Sequence, residues 1–180
     1  MHTLRINLPT ALTLSRIVLI PVFVLMVYDH PVTGAIVFSI ASITDFLDGY
    51  LARRSGQVTK FGIIMDPLAD KFLVISAFIV LVDMERLEAM IAIILIMREF
   101  LVTALRVVAL SKDIVIPAET GGKLKTGAQI TSILCLILVG TAFDRLPFDL
   151  YDIGIVFIWI ALILAVMSGV QYTISFWKKI

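Results

Sequence analysis

Four aspartates stand in two pairs within a short stretch of chain, Asp45 with Asp48 and Asp66 with Asp70. Members of a pair are three and four residues apart, so on a helix each pair projects from one face. Carboxylates with no cysteine or histidine beside them form an all-oxygen donor set. Such a set suits hard cations such as magnesium, manganese or calcium, and makes zinc an unsuitable occupant. Two dications would balance four negative charges, so the residue types alone point to a divalent-metal site built from Asp45, Asp48, Asp66 and Asp70.

The elements that must position these aspartates are set by an apolar chain. Of 180 residues, 60% are hydrophobic and 16% charged, and the mean hydropathy is +1.05. That is well outside the usual range of soluble domains and places the chain in a lipid bilayer. A membrane-crossing helix takes about 20 apolar residues. Segments of that length recur at 8–28, 32–53, 62–82, 87–110, 122–142 and 150–175, which predicts an all-α protein of six transmembrane helices forming one domain over 1–180. The first apolar segment is about twice the length of a signal-peptide core and lacks a cleavage site, so it is expected to stay as the first helix. Cys135 lies within the fifth span and reads as apolar filler.

Lysine and arginine in short loops accumulate on the cytoplasmic side. One set of ends carries Arg5, Arg53, Arg54, Lys60, Lys112, Lys123, Lys125, Lys178 and Lys179, whereas the opposite set has Arg86 and Arg145. Nine against two puts both termini in the cytoplasm and the protein in the cell inner (plasma) membrane, with the aspartates opening to the cytoplasm. The loops around Asp29-His30-Pro31, Asp83-Met84-Glu85-Arg86 and Asp144-Arg145 read as solvated outward connections, and neither His2 nor His30 has a ligand partner in view. Trp159, Tyr172, Phe176 and Trp177 ahead of Lys178-Lys179 suit anchoring at the cytoplasmic interface. Met1–Leu8 suits a short interfacial segment, and Pro9 the first turn of a helix. A net charge of +1 shows no basic excess, and no nucleic-acid partner is expected.

Ionisable groups inside a span are costly and suggest function. Measured from Arg53 and Gly62 at 1.5 Å per residue, Asp45 and Asp70 each lie about 12 Å deep, and Asp48 and Asp66 about 7.5 and 6 Å deep. Two antiparallel helices thus offer carboxylates at two matched depths. At about 2.5–3.5 kcal/mol for each central aspartate, the group requires compensation. Buried pairing with Arg53, Lys71, Arg98 or Arg106 is one alternative to metal, although one salt bridge would not need four acids on two faces. A cation transporter is another, but it would spread polar groups across the full depth of the membrane, and here they crowd the cytoplasmic half. Gly49 and Ala52 leave room beside the carboxylates for a ligand or a neighbouring helix. Pro67 frees the carbonyl of Ile63.

Written out, the stretch is Asp45-x2-Asp48-Gly49-x2-Ala52-Arg53-x8-Gly62-x3-Asp66-x3-Asp70. It resembles, at every fixed position, the signature of the CDP-alcohol phosphatidyltransferases. The resemblance implies that Asp45, Asp48 and Asp66 bind two Mg2+ or Mn2+ ions with Asp70 nearby. It further implies that Gly49, Ala52, Arg53 and Gly62 belong to the CDP-binding segment, that Asp70 is the general base, and that the protein is a six-helix homodimer. Burial raises a carboxylate pKa and neighbouring dications lower it, so ligation by Asp70 stands beside proton abstraction.

A second cluster bears on the acceptor alcohol. Arg98 and Arg106 share a face of the fourth span, and Lys123 and Lys125 open the fifth; together they could bind a phosphate. Alternatively Arg98 pairs with Glu99 or an aspartate and the lysines are interface anchors. Asn7-Leu8-Pro9, Leu12-Thr13, Arg16, Arg98-Glu99, Arg106 and Gly122-Lys123-Leu124-Lys125-Thr126 resemble the bacterial branch of the family across almost the whole chain. That branch joins CDP-diacylglycerol to sn-glycerol 3-phosphate, giving phosphatidylglycerophosphate and CMP. Siblings that use inositol phosphate, serine or phosphatidylglycerol share the aspartate motif and remain open.

Overall fold

The computed structural model describes the backbone of residues 8–55, 60–111, 121–145 and 147–178, and side chains within 17–44, 71–109, 124–143 and 147–178. Among the described residues six α-helices follow one another: α1 (Leu8–Val27), α2 (Pro31–Ser55), α3 (Lys60–Asp83), α4 (Ala89–Ser111), α5 (Gly121–Leu138) and α6 (Leu150–Trp177). A 3-10 turn at Ala142–Arg145 precedes α6, and no strand occurs among the described residues. The expected interfacial segment at Met1–Leu8 lies outside them except for Leu8, where α1 begins, with Pro9 in its first turn as expected. The chain divides into two compact units, Met1–Val80 and Leu81–Ile180.

In the first unit α1 and α2 pack as a helical hairpin. Its turn, Tyr28–His30, is closed by the His30 amide donating to the Met26 carbonyl at 2.8 Å. Pro31 then opens α2, where an absent N–H costs nothing. Phe23 and Val27, four apart on α1, and Ala35, Phe38 and Ala41 on α2 are buried. The Phe23 and Phe38 rings meet with centroids 5.6 Å apart. Gly34 makes this approach possible, because a Cβ there would lie 2.8 Å from both Cα and Cβ of Val27. Gly34→Ala is therefore expected to force the helices apart and to cost about 1–3 kcal/mol, read as a lower thermal midpoint of the purified protein.

In the second unit α6 packs on both α5 and α4. Asp149 caps α6 by accepting from the Tyr151 amide at 2.8 Å, and Asp152 lies in the first turn, both favourable at a helix N-terminus. The buried stripe of α6 includes Gly154, Ala161, Ala165, Ser168 and Gly169, small residues that allow close helix approach. Ser132 of α5 donates to the Gly154 carbonyl at 2.7 Å.

α5 stops at Leu138, short of the 142 expected from hydropathy, because Gly140 adopts φ +77°, a left-handed conformation that glycine takes without strain. The loop before α4 also has a structural role that its solvated appearance conceals. Arg86 Nη1 donates to the carbonyls of Leu136 and Ile137 at 3.0 and 2.8 Å, satisfying acceptors that the last turn of α5 leaves open. Arg86→Met is expected to lower stability by about 1.5–3 kcal/mol; a thermal midpoint equal to that of the parent would contradict the capping role.

α6 is long and apolar enough to cross a membrane. Tyr172 and Phe176 are buried within their unit, whereas Trp159 and Trp177 are exposed. Tyr172 and Phe176 are thus packing residues rather than the interfacial anchors that composition suggested. An aromatic near a basic helix end has the same sequence signature in either role.

Candidate functional site

Both halves of the aspartate motif lie on helices. Asp45 and Asp48 fall in the last part of α2 and Asp66 and Asp70 in the first part of α3, and residues 56–59 connect the two. Asp45 stands ten residues before Ser55 and Asp70 ten residues after Lys60, about 15 Å along each helix. Asp48 and Asp66 stand seven and six residues from the same ends, about 10.5 and 9 Å. These helix bounds keep the register of the sequence estimate, with Asp45 and Asp70 equidistant from the connection and Asp48 and Asp66 one residue out of step, about 1.5 Å. α3 continues through Pro67. The side chains of Asp45, Asp48, Gly49, Ala52, Arg53, Gly62, Asp66 and Asp70 lie outside the described residues. One turn before Asp45, the Ser42 hydroxyl is buried without a hydrogen-bond partner.

The second unit holds the basic residues singled out for the acceptor. Arg98 of α4 is fixed on three sides. Its Nε donates to the Ala165 carbonyl at 2.9 Å, its Nη2 to Ser168 Oγ at 2.6 Å, and its Nη1 to Glu99 Oε1 at 3.1 Å. The same Glu99 oxygen forms a close ion pair with Lys125 of α5. Arg98 and Lys125 are therefore brought together with Glu99 between them, and the Arg98–Glu99 pairing left open by the sequence is present. Lys125 is 5% exposed, so this is an interior ion group tying three helices. Removing one partner of such a group leaves an uncompensated buried charge, at a cost of about 3–5 kcal/mol.

Arg106 sits apart from that network. Its guanidinium lies 6.0 Å from the centroid of the Tyr172 ring, a cation–π arrangement. Lys123 has its side chain outside the described residues. Ser168, which holds Arg98, was not singled out from sequence, nor was Gln129, one turn after Lys125 on α5, and Tyr172 was read only as an interfacial anchor. Ser168 and Gln129 are buried polar groups, and the Gln129 Nε2 atom has no hydrogen-bond partner. The signal that could have found them is the one that found the aspartates, a polar residue inside an apolar span.

Beside this cluster runs an apolar groove of about 720 Å³ between α4 and α6. Met97, Phe100, Leu101, Val166 and Val170 line it, and the Arg98 side chain forms part of its wall.

Comparison with known proteins accounts for the arrangement. The family model described as CDP-alcohol phosphatidyltransferase matches residues 6–167. A Bacillus subtilis protein named CDP-diacylglycerol–glycerol-3-phosphate 3-phosphatidyltransferase is 40% identical, over 97% of this chain and 97% of its own length. Proteins of the same name from Rickettsia bellii and Haemophilus influenzae are 38% and 36% identical. They cover 92% and 94% of this chain and 93% and 92% of their own lengths. The signature spacing, its position on two consecutive helices and the match over most of the chain agree, and the chain belongs to the CDP-alcohol phosphatidyltransferase family.

Proposed function

We propose that this phosphatidyltransferase moves the phosphatidyl group of CDP-diacylglycerol to sn-glycerol 3-phosphate, giving phosphatidylglycerophosphate and CMP. The observation that carries this is the register of the two aspartate pairs, at matched distances from the ends of α2 and α3, in a chain whose named relatives match it almost end to end. The setting is the inner (plasma) membrane, crossed six times, with both termini and the aspartates on the cytoplasmic side and the chain acting as a homodimer. Large apolar side chains point outward in both units, Val18 at 64% and Met97 at 66% exposed, while Lys125, Gln129, Ser132 and Ser168 are buried. That inversion favours a hydrocarbon surrounding. Hydroxyls of Ser39, Ser76 and Thr103 turn back to carbonyls of their own helices, as groups facing a medium without water must.

Four carboxylates on two helices fit a pair of hard cations by donor type and charge. Asp45, Asp48 and Asp66 would hold two Mg2+ or Mn2+ ions, with Asp70 beside them. When bound, such ions neutralise pyrophosphate oxygens, polarise phosphorus and stabilise the departing CMP. Gly49 and Ala52 leave the α2 backbone open to the CDP moiety, which Arg53 and Gly62 help to hold. Arg106 and Lys123, with Arg98 and Lys125, receive the phosphate of the acceptor. Asp70 takes the proton of the acceptor hydroxyl as its oxygen bonds to phosphorus and the pyrophosphate P–O bond breaks.

Purified protein supplied with CDP-diacylglycerol and a panel of acceptors tests the proposal through CMP release. Release with sn-glycerol 3-phosphate above serine, inositol phosphate and phosphatidylglycerol is expected. Release with none of them would defeat the enzyme assignment, and metal flux into proteoliposomes without release would favour a transporter.

A further inference from the structure

Tyr172 carries a polar atom that the fold does not use. The residue is 4% exposed, and its hydroxyl has no hydrogen-bond partner, an arrangement native interiors rarely tolerate. A phenylalanine would fill the same space and offer the same ring face to Arg106, so packing gives no reason for the hydroxyl. Its surroundings point to an anion. The guanidinium of Arg106 lies 6.0 Å from the ring centroid, and Arg106 is exposed. Among the described residues, no hydrogen bond or ion pair engages that guanidinium. One turn earlier on the same face of α6, Ser168 holds Arg98. Residues 168 and 172 of α6, four apart, thus meet Arg98 and Arg106 of α4, eight apart, along one seam.

We propose that Tyr172 is a binding residue of the acceptor site, donating its phenolic O–H to a phosphate oxygen of the acceptor beside Arg106. The proposal rests on the assignment of Arg106 to the acceptor phosphate made above. A hydroxyl with no protein acceptor gains a charge-assisted hydrogen bond when a phosphate dianion arrives, and Arg106 supplies the opposite charge. Tyrosine at this position accordingly raises affinity for a phosphorylated acceptor without contributing to the stability of the empty protein.

The test is Tyr172→Phe in the full-length enzyme with CDP-diacylglycerol, varying sn-glycerol 3-phosphate and using inorganic phosphate as a competitor. The KM for sn-glycerol 3-phosphate should rise about tenfold, the factor associated with one hydrogen bond to a charged group. The Ki of inorganic phosphate should rise in parallel. The KM for CDP-diacylglycerol should stay within about twofold of the parent, and the thermal midpoint should be equal or higher, because an unsatisfied buried hydroxyl has been removed. An unchanged KM for sn-glycerol 3-phosphate in a variant of parental stability would overturn the role of Tyr172 while leaving the acceptor assignment intact. A raised KM with an unchanged phosphate Ki would also overturn it, since the contact would not be to phosphate. A parent enzyme that releases CMP with serine but not with sn-glycerol 3-phosphate would remove the acceptor assignment and this proposal together.

Discussion

Asp66→Asn is expected to reduce CMP release by at least about 10²–10³-fold, the scale on which loss of a charge-stabilising group at a phosphoryl centre acts. Its effect on stability separates the metal site from a structural ion pair. If Asp66 were paired with a buried arginine or lysine, the neutral variant would leave that cation uncompensated and lose about 3–5 kcal/mol. If it belongs to a cation site, the picture in chelator reverses. Four carboxylates without their ions repel one another, and removing one charge leaves the apo protein as stable as the parent or more so. Added Mg2+ or Mn2+ should then raise the thermal midpoint of the parent by mass action on the folded state, and raise that of the variant much less. A variant that is less stable than the parent in chelator would favour the ion pair.

Asp70→Asn should be the other large effect and should have a different signature. A general base contributes about 10²–10⁴ to rate, so turnover should fall by that factor while Mn2+ affinity stays within about threefold of the parent. Asp70 lies ten residues into α3, at the inner of the two carboxylate levels on that helix. Equal losses of turnover and metal affinity would make it a ligand and leave the base unassigned.

The helical layout was largely legible in the sequence because each helix is also a run of apolar residues, and expected and observed bounds agree to within a few residues. The exception, the end of α5, was set by backbone conformation at Gly140, to which hydropathy is blind. The aspartate motif was legible because carboxylates inside apolar spans are anomalous in themselves. The links of the second unit were harder to read. Arg86 caps a helix fifty residues further along the chain, and Arg98 holds a carbonyl and a hydroxyl on α6, partners that become adjacent only through packing. Glu99 was visible as a neighbour of Arg98, but its joint hold on Arg98 and Lys125 depends on α4 and α5 meeting. Tyr172 shows the limit of composition, since burial and an orphan hydroxyl rather than residue type distinguish it from an interface anchor.

The central claim, that the two aspartate pairs hold two divalent cations required for the transfer, is tested most directly by titrating Mn2+ into chelator-stripped enzyme. Bound metal is counted by electron paramagnetic resonance while CMP release is followed with CDP-diacylglycerol and sn-glycerol 3-phosphate. Two Mn2+ per protomer are expected, with release appearing as the second site fills and both lost in Asp48→Asn. Full release in chelator, or two Mn2+ retained by Asp48→Asn, would contradict the account.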